Sequence, residues 1–173
     1  VKIPQAKNEA VKSYAPGDPD TLNLKSKLQE MKNTTVDIPM YIGGEKVFTD
    51  EKVSIHPPHE INHSLGSFNK GNESHVEAAI NAALKAKKNW ANMPWESRAA
   101  IFLRAADLLA GPYRDKMNAA TMLAQSKNAM QAEIDAACEM IDFFKFNVQY
   151  MSEIYAQQPP ENSPGVWNQL EYR

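Results

Sequence analysis

The sequence predicts a mixed α/β chain in which a short β-rich unit precedes a long helical segment. Three observations carry that expectation. Short apolar runs flank Gly43-Gly44 and Pro57-Pro58 and read as strands joined by turns. From Val76 to about Ala156, apolar residues recur at helical spacing with breaks at Pro94, Gly111-Pro112 and Asn128. The 173 residues, 43% hydrophobic and 23% charged, have the size and composition of one globular domain rather than a disordered chain.

Residues 1–36 read as an N-terminal arm and a short helix. The first stretch, VKIPQAKNEAVKSYAPGDPD, is polar and carries three of the 11 prolines, the composition of an arm laid on a larger body. Asp18 is suited to cap a helix that Pro19 opens, and Leu22, Leu24, Leu28 and Met31 give it an imperfect apolar face. Residues 37–70 hold the strands: IPMYIGGEKVF as a hairpin on Gly43-Gly44, then Lys52 to His56 and Ser64 to Phe68.

Residues 71–158 are expected to be helical. Ser74 and Glu77 have the spacing of a capping box ahead of Val76, Ala79, Ile80, Ala83, Leu84 and Trp90. Pro94 opens a second helix, which Gly111-Pro112 ends; Tyr113 to about Gln125 makes a third, and Asn128 to about Ala156 a long fourth. Residues 159–173 read as a proline-rich loop followed by the start of a strand at Val166 to Leu170. That lone strand, in a chain beginning at Val1, suggests a piece of a longer protein.

Several functions find no support in the sequence. Nineteen Lys and Arg against 21 Asp and Glu are scattered rather than clustered, which argues against nucleic acid or an anionic membrane as the main partner. No apolar run approaches the roughly 18 residues of a membrane span. The one cysteine, Cys138, excludes an internal disulfide, and on an apolar helical stripe it reads as a buried small residue rather than a nucleophile. His56, His59 and His63 in HPPHEINH fit no zinc spacing and read as solvated loop histidines. Seven glycines form neither a G-x-G-x-x-G fingerprint nor a P-loop. Trp90, Trp95 and Phe102 read as packing between helices.

One residue resists a packing explanation. At about 100° per residue, Glu139, Phe143, Phe146 and Tyr150 lie along one stripe of the fourth helix, while Ile134, Ala137, Cys138, Ile141, Phe144 and Val148 lie along another. Glu139 is therefore either at the rim of a groove or a buried acid with a partner.

The segment from Ser97 to Tyr150, and most narrowly Gln131-Ala132-Glu133-Ile134-Asp135-Ala136-Ala137 through Glu139-Met140-Ile141-Asp142-Phe143-Phe144, resembles the aldehyde dehydrogenase superfamily. Within it, the resemblance is to the branch that oxidises L-glutamate γ-semialdehyde, the open form of 1-pyrroline-5-carboxylate. It continues at Gln157-Gln158-Pro159 and, more loosely, back through GGEKVFTDEKVSIHPP.

The resemblance implies an aldehyde dehydrogenase-like α/β fold, of which this chain would supply the arm, first strands, helical part of the NAD-binding domain and start of an oligomerisation strand. In such enzymes a cysteine attacks the aldehyde, hydride passes to NAD, and a glutamate activates the hydrolytic water. Their motifs lie later in the chain, so no catalytic or cofactor-binding residue is expected here, and NAD would be bound mainly beyond Arg173. Glu139 and Phe143 are the expected substrate-binding residues. A homodimer or higher homo-oligomer, the mitochondrial matrix and a role in proline catabolism are implied in the same way. The other readings are an aldehyde dehydrogenase of different substrate, and a non-catalytic helical interaction module or truncated paralogue.

Overall fold

The protein is described by a computed structural model over residues 3–172. An extended arm leads into α1 (Pro19–Lys32), followed by β1 (Val36–Ile38), β2 (Met40–Ile42), β3 (Glu45–Val47), β4 (Lys52–Ile55) and β5 (Gly66–Asn69). Helices α2 (Glu73–Asn92), α3 (Trp95–Ala110) and α4 (Arg114–Gln125) come next. A short α5 (Ala129–Ala132) runs through a π-helical segment (Glu133–Cys138) directly into α6 (Glu139–Ala156).

The local chemistry of the first half sets its turns. The Asp18 carboxylate accepts from the Asp20 amide at 2.9 Å and caps α1, with Pro19 in the first turn, where its missing N–H costs nothing. Strands β2 and β3 pair in register Ile42↔Glu45, leaving Gly43 and Gly44 as a two-residue turn. Both glycines have positive φ, 62° and 91°, which this tight hairpin turn requires. The remaining strands form a sheet in the order β1-β5-β4, with β1 parallel and β4 antiparallel to β5. Gly66 stands opposite Val36 with φ 121°, and a Cβ there would lie 1.9 Å from the Val36 carbonyl oxygen.

The helices pack around Ala106 and Leu109 of α3 and Ile141 of α6, all buried, with Met117 and Phe144 against them. Phe102 meets Phe144 at 6.0 Å between centroids and Trp95 stacks on Tyr155 at 5.3 Å, so α3 and α6 are zipped by aromatics. Trp90 lies 6.0 Å under the Arg98 guanidinium. Helix α1 packs on α4, while α2 touches only strand β2 closely. Val76, Ile80 and Leu84 therefore leave an apolar stripe of α2 facing outward.

The structure corrects the sequence reading at four places. The capping box of α2 is formed by Asn72 and His75 rather than Ser74 and Glu77: Asn72 Oδ1 accepts from the His75 amide, and His75 Nδ1 accepts from the Asn72 amide at 3.1 Å. Asn is as good an N-cap as Ser, and it stands at the earlier position where the chain leaves β5. The long fourth helix is interrupted by the π-helical segment, which slips the side-chain register. Val166 to Leu170 forms no strand among the described residues; the Leu170 amide is served by Gln158 Oε1 at 2.9 Å and that of Asn168 by Asn162 Oδ1 at 2.6 Å. A strand exists only against a neighbour, and none lies beside it among the described residues. Finally, His56 and His63 are structural rather than solvated: His56 Nδ1 lies 2.9 Å from the His63 carbonyl and His63 Nε2 lies 2.8 Å from that of Lys32.

Candidate functional site

The arm and the first turns of α6 form a groove of about 770 Å³. On the helix side it is lined by Glu139, Phe143, Phe146 and Tyr150, the stripe expected from the spacing; on the arm side by Asn8, Glu9 and Val11. Glu139 is exposed at the rim, and among the described residues its carboxylate has neither an ion pair nor a hydrogen-bond partner. Phe143, one turn on, is 55% exposed, high for a large aromatic. Of the two positions open to Glu139, the structure selects the groove.

The π-helical segment explains the second stripe. Ile134, expected on the opposite side with Ile141 and Val148, is 46% exposed and lines the groove, whereas Ile141 and Val148 are buried. A π-turn adds a residue to the helical repeat, so Ile134 and Glu139, five apart, come to the same side.

The buried acid of this region is Glu133, which sequence reasoning missed. It is wholly shielded from solvent within the π-helical segment. Arg114 of α4 faces it through two guanidinium nitrogens, Nη2 to Oε1 and Nε to Oε2 at 3.3 Å. Asn118, one turn along α4, donates at 2.7 Å, Tyr14 Oη at 2.9 Å and the Lys12 amide at 2.8 Å. Arg114 also donates to Glu9 at 2.7 Å, and Lys145 of α6 donates to the other Glu9 oxygen at 2.7 Å. The arm is thus bound to α4 and α6 through an ionic lattice.

Burial alone would raise the Glu133 pKa, but the Arg114 hydrogen bonds, with those of Lys12, Asn118 and Tyr14, overcome it and hold the carboxyl at about 2. Burial, with the hydrogen bond and charge of Glu133, pushes the Tyr14 hydroxyl well above its usual range. Cys138 is 5% exposed, with Sγ 3.7 Å from Glu133 Oε1. Burial and that negative charge push its pKa up to about 11, so it stays a thiol near neutrality and lacks the thiolate that a nucleophile needs.

A signal for Glu133 was present in α4. Arg114, Asn118 and Thr121 are spaced i, i+4, i+7, a polar stripe on what proves a buried face, and such a stripe demands a buried partner. The partner's position could not be read, because Glu9 and Lys12 lie more than a hundred residues from the groups they meet.

Other recesses carry less. A wider one, about 980 Å³, lies at the far end of α6 around Gln149, Tyr155 and residues 169–172, away from Glu139. Among the described residues no group of three His, Cys, Asp or Glu side chains has the arrangement of a metal site. No helix there is long and apolar enough to cross a membrane. The strand-to-helix step from β5 to α2 uses Asn72 and His75 to cap its own amides.

A fold of strands leading into α3–α6 is matched among known proteins. Residues 48–173 fit the model of the aldehyde dehydrogenase family, and the chain belongs to that family. Over 173 residues it is 50% identical to a Delta-1-pyrroline-5-carboxylate dehydrogenase of Agaricus bisporus, which covers 99% of this chain and 32% of that protein. It is 40% identical over 166 residues to the mitochondrial Delta-1-pyrroline-5-carboxylate dehydrogenase of Homo sapiens, covering 96% of this chain and 29% of that one. The crystal structure of the Mycobacterium tuberculosis Delta-pyrroline-5-carboxylate dehydrogenase bound with NAD superposes with a TM-score of 0.96 at 45% identity, over 100% of this chain and 32% of that one. The chain spans about a third of the length of the curated relatives it matches.

Proposed function

We propose that this chain is the N-terminal part of an NAD-dependent dehydrogenase that oxidises L-glutamate γ-semialdehyde, in equilibrium with 1-pyrroline-5-carboxylate, to L-glutamate in proline catabolism. The observation that carries the reading is an unpartnered acid, Glu139, set beside Phe143 in a groove, on a chain half identical to a dehydrogenase named for that substrate. The semialdehyde is a short aldehyde ending in an α-ammonium and an α-carboxylate. A carboxylate beside apolar rings suits the ammonium, because no cation among the described residues already pairs with it. Phe143 and Phe146 would cover the methylenes. Residues 71–158 would then be the helical part of the NAD-binding domain, and residues 159–173 would lead into an oligomerisation strand.

NAD would supply hydride acceptance, and its binding is assigned mainly to residues beyond Arg173, as the resemblance to the family implies. No catalytic cysteine or glutamate is assigned within this chain. A homo-oligomer, dimeric or larger, and the mitochondrial matrix complete the proposal. They are supported by the branch of the family and by relatives from Emericella nidulans, Dictyostelium discoideum and Bos taurus named as mitochondrial.

The test is NADH formation by the complete protein containing this chain. With 1-pyrroline-5-carboxylate as substrate, kcat/KM should exceed that for propanal by about a hundredfold or more, the discrimination expected when a site must pair charged groups. Equal or greater efficiency with propanal would sink the substrate assignment.

A further inference from the structure

The groove has two walls, and only one of them is helical. The arm is fastened against α6 at successive points. Gln149 Oε1 accepts from the Ala6 amide at 2.8 Å. Asp142 accepts from both the Asn8 side chain at 2.8 Å and the Glu9 amide at 2.7 Å. Lys145 and Arg114 then hold the two Glu9 oxygens. Asp142 is three residues beyond Glu139, so the clamp acts at the turn of α6 that carries the groove's free acid.

We propose that Asn8 to Val11 form the second wall of the aldehyde groove and set which aldehydes fit it, with Asp142 as the positioning residue that holds this wall in place. The proposal rests on the preceding reading of the Glu139 face as the aldehyde site. Its logic is one of charge and shape. The acids Glu9 and Asp142 both line the groove, but the arm's own contacts occupy their oxygens. That leaves Glu139 as the groove acid without a partner among the described residues. On the arm side Val11 is 51% exposed and presents an apolar surface to the groove. A groove with a fixed anion and an apolar wall clamped to the same helix turn selects a short aldehyde whose cationic end reaches the acid. Longer, uncharged aldehydes would be admitted only if the wall moved.

Steady-state kinetics of the complete enzyme test this, with NAD saturating and with 1-pyrroline-5-carboxylate and hexanal as competing substrates. Val11→Trp, a change at an exposed position, should raise KM for the semialdehyde about tenfold with little effect on KM for NAD. Asp142→Ala should loosen the wall and shift the semialdehyde-to-hexanal ratio of kcat/KM toward hexanal by about tenfold, and Asp142→Asn, which keeps an acceptor for the Glu9 amide, should recover most of that ratio. A wild-type enzyme that oxidises the semialdehyde while Val11→Trp leaves KM and the ratio within about twofold would overturn the wall and leave the substrate reading standing. A wild-type enzyme inert toward the semialdehyde would remove the substrate reading and the wall with it.

Discussion

Two glutamates on consecutive turns, Glu133 and Glu139, have opposite fates, and the difference is a matter of partners. Glu133 is shielded and saturated with donors; Glu139 is exposed with none. Removing Glu133 leaves the buried Arg114 with Glu9 as its remaining carboxylate, so Glu133→Gln should destabilise the complete protein by about 3 kcal/mol, read from urea unfolding. A loss below about 0.5 kcal/mol would show that the lattice contributes nothing. The pH dependence has a definite sign. Glu133 is depressed from 4.5 to about 2, so its contribution is fully present above about 4.5 and is lost as pH falls through about 2. Proteolysis within the arm should therefore accelerate between those values in the wild type and show no such rise in Glu133→Gln. The Glu139 stripe was legible in the sequence because all four residues follow the π-helical segment in one α-helical register. Glu133 was not, because its partners come from α4 and from the arm.

Among the elements, most of those specified by local chemistry were read correctly, the α2 capping box at Asn72 and His75 excepted, whereas those specified by a distant neighbour were not. The Gly43-Gly44 hairpin, the Asp18-Pro19 helix start and the end of α3 at Gly111 follow from one or two residues each. The π-helical segment has no such local marker; it is held where Glu133 meets Arg114. Gly66 is another long-range requirement, since its need for hydrogen at Cα appears only once β1 lies beside β5. Gly66→Ala should cost at least about 2 kcal/mol, from the clash with Val36 and the strain at positive φ together. Gly17→Ala, also at positive φ but with open space around it, should cost about 1 kcal/mol. Thermal unfolding of the two variants separates the effects, and equal losses would contradict the packing assigned to the β1–β5 pair.

At the scale of the molecule, the chain has a core between α3 and α6 but leaves apolar surface elsewhere. Val76, Ile80 and Leu84 on α2, and Val36 and Ile38 on β1, are each at least 44% exposed. A continuous apolar stripe of this kind marks a surface that another part of a protein covers. The isolated 173-residue chain should therefore self-associate at micromolar concentration, and Val76→Lys with Leu84→Glu should reduce that association, as read by sedimentation velocity. A monomeric chain that unfolds cooperatively would instead favour the interaction-module reading. The apolar stripe of α2 and its approximate length were legible from periodicity alone; that it faces outward, and what covers it, were not, because a 3.6-residue repeat reports that a face is apolar without saying what it faces.

The measurement that bears most directly on the whole proposal is the kinetics of Glu139→Gln in the complete enzyme, with 1-pyrroline-5-carboxylate and NAD varied separately. The substitution keeps the size of the side chain and removes its charge. If Glu139 receives the substrate's ammonium, kcat/KM for the semialdehyde falls by about 10- to 100-fold, the value of one charge-assisted contact, while KM for NAD stays within about twofold. Unchanged kcat/KM for the semialdehyde, or a loss shared equally by propanal and NAD, would contradict a substrate-binding role for this face of α6.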